Sequence, residues 1–136
     1  MKPIKRILVP LDFSPVTETI LEAAEQIAAR EQSRLLLLHV LEPFDSLRQR
    51  PPVILTSVLD NYARLVRLIP PEHIESLVIE GNPIECILNT AVHHGCHAII
   101  MGHGGRGDQA GHVASAIQKL FRGNLKLVNQ STANVV

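Results

Sequence analysis

Short apolar runs alternate along the chain with segments whose apolar residues recur at helical spacing. Arg6-Ile7-Leu8-Val9-Pro10-Leu11 reads as a buried strand, broken by Asp12-Phe13-Ser14-Pro15. Ser14 is placed to cap a helix and Pro15 suits its first position, where a missing N–H costs nothing. Ile20, Leu21, Ala24, Ile27 and Ala28 then follow at helical spacing, with Glu18 early and Arg30 late, as the helix dipole favours. Arg34 to Val40 is almost continuously apolar, the pattern of a parallel strand covered on both faces. Residues 42–52, with Pro43, Pro51 and Pro52, form a loop. Ile54 to Ile69 reads as a helix presenting Val58, Tyr62, Leu65 and Ile69, and Pro70-Pro71 ends it. Ile74 to Ile79 is the third strand.

Gly81-Asn82-Pro83-Ile84-Glu85 opens the next helix. Asn82 is its cap, Pro83 its first residue and Glu85 the capping-box position. Its apolar stripe is Ile84, Ile87, Leu88, Ala91 and Val92, and Gly95 stops it. Ala98 to Met101 is the fourth strand. Gly102, Gly104, Gly105, Gly107 and Gly111 then crowd five of the eight glycines into ten residues. Val113, Ala116, Ile117, Leu120 and Phe121 restore helical periodicity, and the fifth strand is placed at Ala133 to Val136. The order βαβαβαβαβ predicts an open parallel α/β sheet with right-handed crossovers.

Composition narrows what such a sheet does. The chain has 136 residues, which suits a single domain spanning 1–136, and its 46% hydrophobic content excludes disorder. Thirteen basic residues balance thirteen acidic ones, which argues against electrostatic capture of nucleic acid or an anionic membrane. Aromatic residues are 3%, with no Trp, too few for stacking along a single strand. No apolar run is long enough to cross a bilayer and the N-terminus lacks a signal-peptide pattern, so a cytoplasmic location is expected. Cys86 and Cys96 lie about three helical turns apart and read as reduced thiols. The seven histidines match no zinc spacing, so no metal site is expected.

Candidate chemistry concentrates in two loops. α/β sheets of this kind bind ligands at the carboxyl ends of their strands, where strand order reverses. One loop is Pro10 to Ser14, after the first strand. The other is the glycine-rich segment after the fourth, where backbone N–H groups and a helix N-terminus would make an anion site without clustered Lys or Arg. It is neither a Walker A loop nor a dinucleotide fingerprint. No Gly-x-Ser-x-Gly elbow and no poised general base occur, so catalysis is not predicted.

These residues resemble the universal stress protein family over nearly the whole chain. The resemblance rests on Ile7 to Ser14, Leu37-Leu38-His39-Val40, Gly81-Asn82-Pro83 and Gly95 to Arg106. It implies a three-layer α/β/α sandwich, adenine nucleotide alpha hydrolase-like, with a five-stranded parallel sheet of order 3-2-1-4-5. Nucleotide-binding members carry glycine, two residues, glycine, nine residues, then Gly-Ser or Gly-Thr. Here Gly102 and Gly105 supply the first pair, and Ser115-Ala116 stand where the last pair belongs.

By this resemblance the ligand is ATP or another adenine nucleotide, with which Mg2+ is compatible, and any ATP hydrolysis would be weak and incidental. Asp12 would meet the ribose hydroxyls and the Val40 backbone the adenine. Gly102, Gly105, Ser115 and Ala116 would line the phosphates, and Arg106 would meet the outer ones. Pro10, Leu11, Met101, His103 and Ile117 complete the expected lining. The resemblance also implies a homodimer through the C-terminal edge strand. Because Ser115-Ala116 alters the phosphate end, the alternative is a family member that binds no nucleotide and acts as a dimeric interaction protein.

Overall fold

Five strands lie side by side, all parallel, in the order β3-β2-β1-β4-β5. They are β1 Arg6–Pro10, β2 Arg34–Leu41, β3 Ile74–Glu80, β4 Ala98–Gly102 and β5 Asn124–Val128. The computed structural model describes residues 4–43, 52–103 and 107–128. Helices α1 Thr17–Glu31, α2 Pro52–Ala63, α3 Pro83–His93 and α4 Gly107–Leu120 connect the strands. The 3-2-1-4-5 order is the one expected.

Alternation along the strands divides the core into two layers. Ile7, Val9, Leu35, Leu37 and Ile100 pack with Ile20, Ala24 and Ala28 of α1 and Leu59 of α2. Leu8, Leu36, Leu38, Ile99 and Met101 pack with Ile87 and Ala91 of α3 and Ala114 and Ile117 of α4. β1 sits in the middle, with Leu8 opposite both Leu36 and Ile99, and its three central residues are fully buried. Each such side chain contributes about 1.5–3 kcal/mol by leaving water.

Helix entry at α3 follows the sequence. The Asn82 side chain accepts the Glu85 N–H at 3.1 Å, and Pro83 occupies the first turn. At α1 the expected Ser14 cap is not made. Asp12 Oδ1 accepts the Ser14 N–H at 3.0 Å, and the Ser14 carbonyl accepts the Thr17 N–H at 3.0 Å. Two turn residues therefore intervene, and the helix starts at Thr17.

Four further expectations are corrected. α2 ends at Ala63 rather than Ile69, closing through bonds from Leu65 N–H to Tyr62 and Val66 N–H to Ala63. Its inward side is Leu55, Leu59 and Tyr62, continued by buried Val66, while Leu65 is exposed; both registers satisfy helical spacing, and the position of the sheet selects one. Val92 and Leu120 lie outside their stripes at 78% and 59% exposure, because the core lies under Ala91 and Ile117 instead. The fifth strand is Asn124–Val128, paired from Ala98↔Asn124 to Gly102↔Val128. Exposed Asn124 and Lys126 dilute its apolar pattern, and Ala133 to Val136 lie outside the described residues.

Candidate functional site

β1 and β4 are neighbouring parallel strands at the point where strand order reverses, and sheets of this kind bind ligands at the carboxyl ends of such a pair. Val40 and Met101 belong to the α3/α4 side of the sheet. Pro10 shares that side by alternation, since Val9 and Leu11 belong to the other. Pro10 and Val40 are half-buried and Met101 is 6% exposed, which leaves an apolar ledge at the strand ends. Beside it stands Asp12, half-buried, with Oδ1 held by the Ser14 N–H. That turn leaves the second carboxylate oxygen able to accept from hydroxyl donors.

Leu11 has a different task. Its side chain is buried in the α1/α2 layer, its N–H donates to the Leu38 carbonyl at 2.8 Å, and its carbonyl accepts from His39 Nδ1 at 2.8 Å. It anchors the loop to β2 rather than lining the crevice with its side chain. Ile117 is fully buried, at 0% exposure, and packs in the α3/α4 layer.

The glycine segment departs further from expectation. A Cβ on Gly102 would come within 3.0 Å of Ile20 Cδ1 and 3.7 Å of Val16 Cγ1, so α1 approaches closely here. His103 is exposed, and its N–H donates to the Val128 carbonyl at 3.1 Å, extending the pairing of β4 and β5. Ser115 and Ala116 lie in the interior of α4, Ser115 exposed and Ala116 half-buried. Interior helical N–H groups donate to carbonyls four residues back, so these two have no backbone donors for a phosphate. Their contribution to a phosphate site therefore falls to the exposed Ser115 hydroxyl. Only the N–H groups at the start of α4 lack helical partners. Gly105 and Arg106 lie outside the described residues.

Sequence reading missed the group behind the loop. His39 is 2% exposed, and Phe13 stacks on it with ring centroids 4.1 Å apart and planes 16° apart. Tyr62 stacks on Phe13 in turn at 5.9 Å and 10°. The available signal was a lone imidazole inside an apolar strand, since a buried polar ring calls for a hydrogen-bond partner.

The thiols are free, and neither is activated. Burial, outweighing the nearby Arg6 charge and assisted by Glu75, pushes the Cys96 thiol up to about 11. Burial and the Glu85 carboxylate also raise Cys86. Among the described residues no group of three or more His, Cys, Asp or Glu is placed to hold a metal ion. Nor is any helix among them long and apolar enough to cross a membrane.

Comparison with known proteins agrees with this architecture. No curated protein matches the chain. A universal stress protein solved in complex with cAMP superposes with TM-score 0.72 at 17% identity, covering 94% of this chain and 98% of its own. A universal stress protein from Archaeoglobus fulgidus, solved with dAMP, gives 0.68 at 16% identity, covering 93% and 98%. A universal stress protein family member from Burkholderia pseudomallei gives 0.66 at 26% identity, covering 91% and 95%. The sequence model of the universal stress protein family matches residues 3–123, and the chain belongs to that family.

Proposed function

We propose that the chain is a regulatory module that binds an adenine nucleotide, ATP among them, in the crevice between the loops after β1 and β4. The observation that carries this reading is the Asp12 carboxylate, fixed by Ser14 N–H beside the Pro10, Val40 and Met101 ledge at the switch point. The ledge suits the flat adenine, and the carboxylate suits the ribose hydroxyl donors. Structural neighbours solved with cAMP and dAMP support an adenine nucleotide as the ligand class. The phosphates would meet the first N–H groups of α4, with the positive end of its dipole, in place of Ser115 and Ala116.

The test is to denature the purified protein, identify any released nucleotide, and titrate AMP, cAMP and ATP by calorimetry. Asp12→Ala is expected to remove the heat of binding. A second reading is favoured by one observation, the position of Ser115-Ala116 in the interior of α4, away from its first turn: the chain would bind no nucleotide and act as a dimeric interaction protein. Absence of both released nucleotide and heat would establish that reading over the first. In either case β5 is a sheet edge among the described residues, a position that suits pairing with a second copy, and light scattering would report the dimer.

A further inference from the structure

The residues that hold the Asp12 loop carry an inference beyond the ligand class, although it rests on the adenine-nucleotide reading of the site. Asp12 lies between two residues that are both tied to His39. On one side, the Leu11 carbonyl accepts the His39 Nδ1–H at 2.8 Å, while the Leu11 N–H is held by the Leu38 carbonyl. On the other side, Phe13 stacks on the His39 ring and is backed by Tyr62. Phe13 has φ 61°, a left-handed conformation that a bulky side chain keeps only where its surroundings hold it. An apolar residue would fill a buried position in β2 as well, but could not donate to the Leu11 carbonyl.

We propose that His39 and Phe13 are positioning residues for Asp12, acting through the main chain of the loop. The imidazole fixes the peptide before Asp12 by a hydrogen bond and the residue after it by stacking. With both neighbours fixed, the carboxylate is set in the turn with Ser14 before any ligand arrives. Binding then needs no ordering of the loop, which is the energetic advantage of preorganisation.

The test compares the native chain with His39→Leu and His39→Gln, the second retaining a side-chain donor, after circular dichroism shows that the variants fold. In the ligand-free proteins, hydrogen exchange is read at the Ser14 amide, which is protected by Asp12 Oδ1. His39→Leu is expected to lose protection by about tenfold, the equivalent of one hydrogen bond, and His39→Gln to restore most of it. Equal protection in all three would overturn the proposal. AMP affinity by calorimetry should follow the same order, weakening about tenfold in His39→Leu and recovering in His39→Gln. Unchanged affinity in His39→Leu would also overturn it. If the native chain binds no adenine nucleotide, the functional reading fails, and the exchange comparison still decides whether His39 positions Asp12. Phe13→Leu, which removes the stack and keeps the hydrogen bond, should lose Ser14 protection as well.

Discussion

Replacing Gly102 by alanine separates two reasons for a glycine at the end of β4. If glycine is there to let a phosphate approach, alanine should spare stability and weaken the ligand. The structure assigns the space to α1 instead. The new methyl would lie 3.0 Å from Ile20 Cδ1, tighter than ordinary contact, with Val16 Cγ1 next at 3.7 Å. Ile20 and Val16 are 2% and 5% exposed, so neither moves freely into solvent. Overpacking a core by one methyl costs about 1–3 kcal/mol, and a clash with a single terminal methyl belongs in the lower half of that range.

Ile20→Val removes the offending Cδ1 at a cost of about 0.5–1.5 kcal/mol by itself. In the double variant the remaining neighbours are at ordinary contact distance. The pair should therefore be about 1 kcal/mol more stable than the sum of the two single changes predicts. Urea denaturation of the four proteins measures this coupling, with thermal midpoints moving by roughly 3 °C per kcal/mol as a cross-check. Additive effects would refute the reasoning, because they would mean that the methyl does not meet Ile20. Nucleotide affinity of the double variant should stay near native.

Other positions make independent tests. A Cβ on Gly123 would fall 2.5 Å from Phe121 Cζ and 2.7 Å from the His97 carbonyl oxygen. Gly123→Ala should therefore cost at least about 3 kcal/mol by urea denaturation, and Phe121→Leu should not rescue it, since the backbone oxygen stays. Asn82→Ala loses the 3.1 Å cap on Glu85 and should cost about 1 kcal/mol, with Asp or Ser at that position recovering most of it. Burial holds the Cys96 thiol up to about 11 in the folded chain, above the 9.0 of a free thiol, so its contribution is complete below pH 9 and lost as pH rises toward 11. That elevation corresponds to at most about 3 kcal/mol, and Cys96→Ala should flatten that part of the stability profile measured by denaturant titration at each pH.

The strands that sit under helices on both faces were legible because burial on two sides leaves a nearly continuous apolar run. β1, β2 and β4 are of this kind. Asn82-Pro83 was legible because capping is a local interaction of neighbours in sequence. β5 was not, because an edge strand tolerates Asn124 and Lys126 on exposed positions and so lacks the run. The inward side of α2 was misread because spacing fixes a stripe's period and not its phase; the sheet's position chose Leu55, Leu59 and Tyr62 over Val58 and Leu65. At the candidate site, the loop of Pro10 and Asp12 was legible from the end of the first strand, whereas Val40 was named only through the family resemblance. The tasks of Leu11 and His39 were not legible, since they depend on a contact between β1 and β2 separated by 28 residues. The place of Ser115 within α4 was not legible either, because a motif count carries no information on where the following helix begins.

The adenine-nucleotide reading is tested most directly by a crystal structure of the chain grown with AMP. The account predicts the adenine on the ledge of Pro10, Val40 and Met101, the ribose hydroxyls on the Asp12 carboxylate, and the phosphate at the first turn of α4. Nucleotide density elsewhere on the molecule, or an empty crevice at saturating AMP, would contradict it.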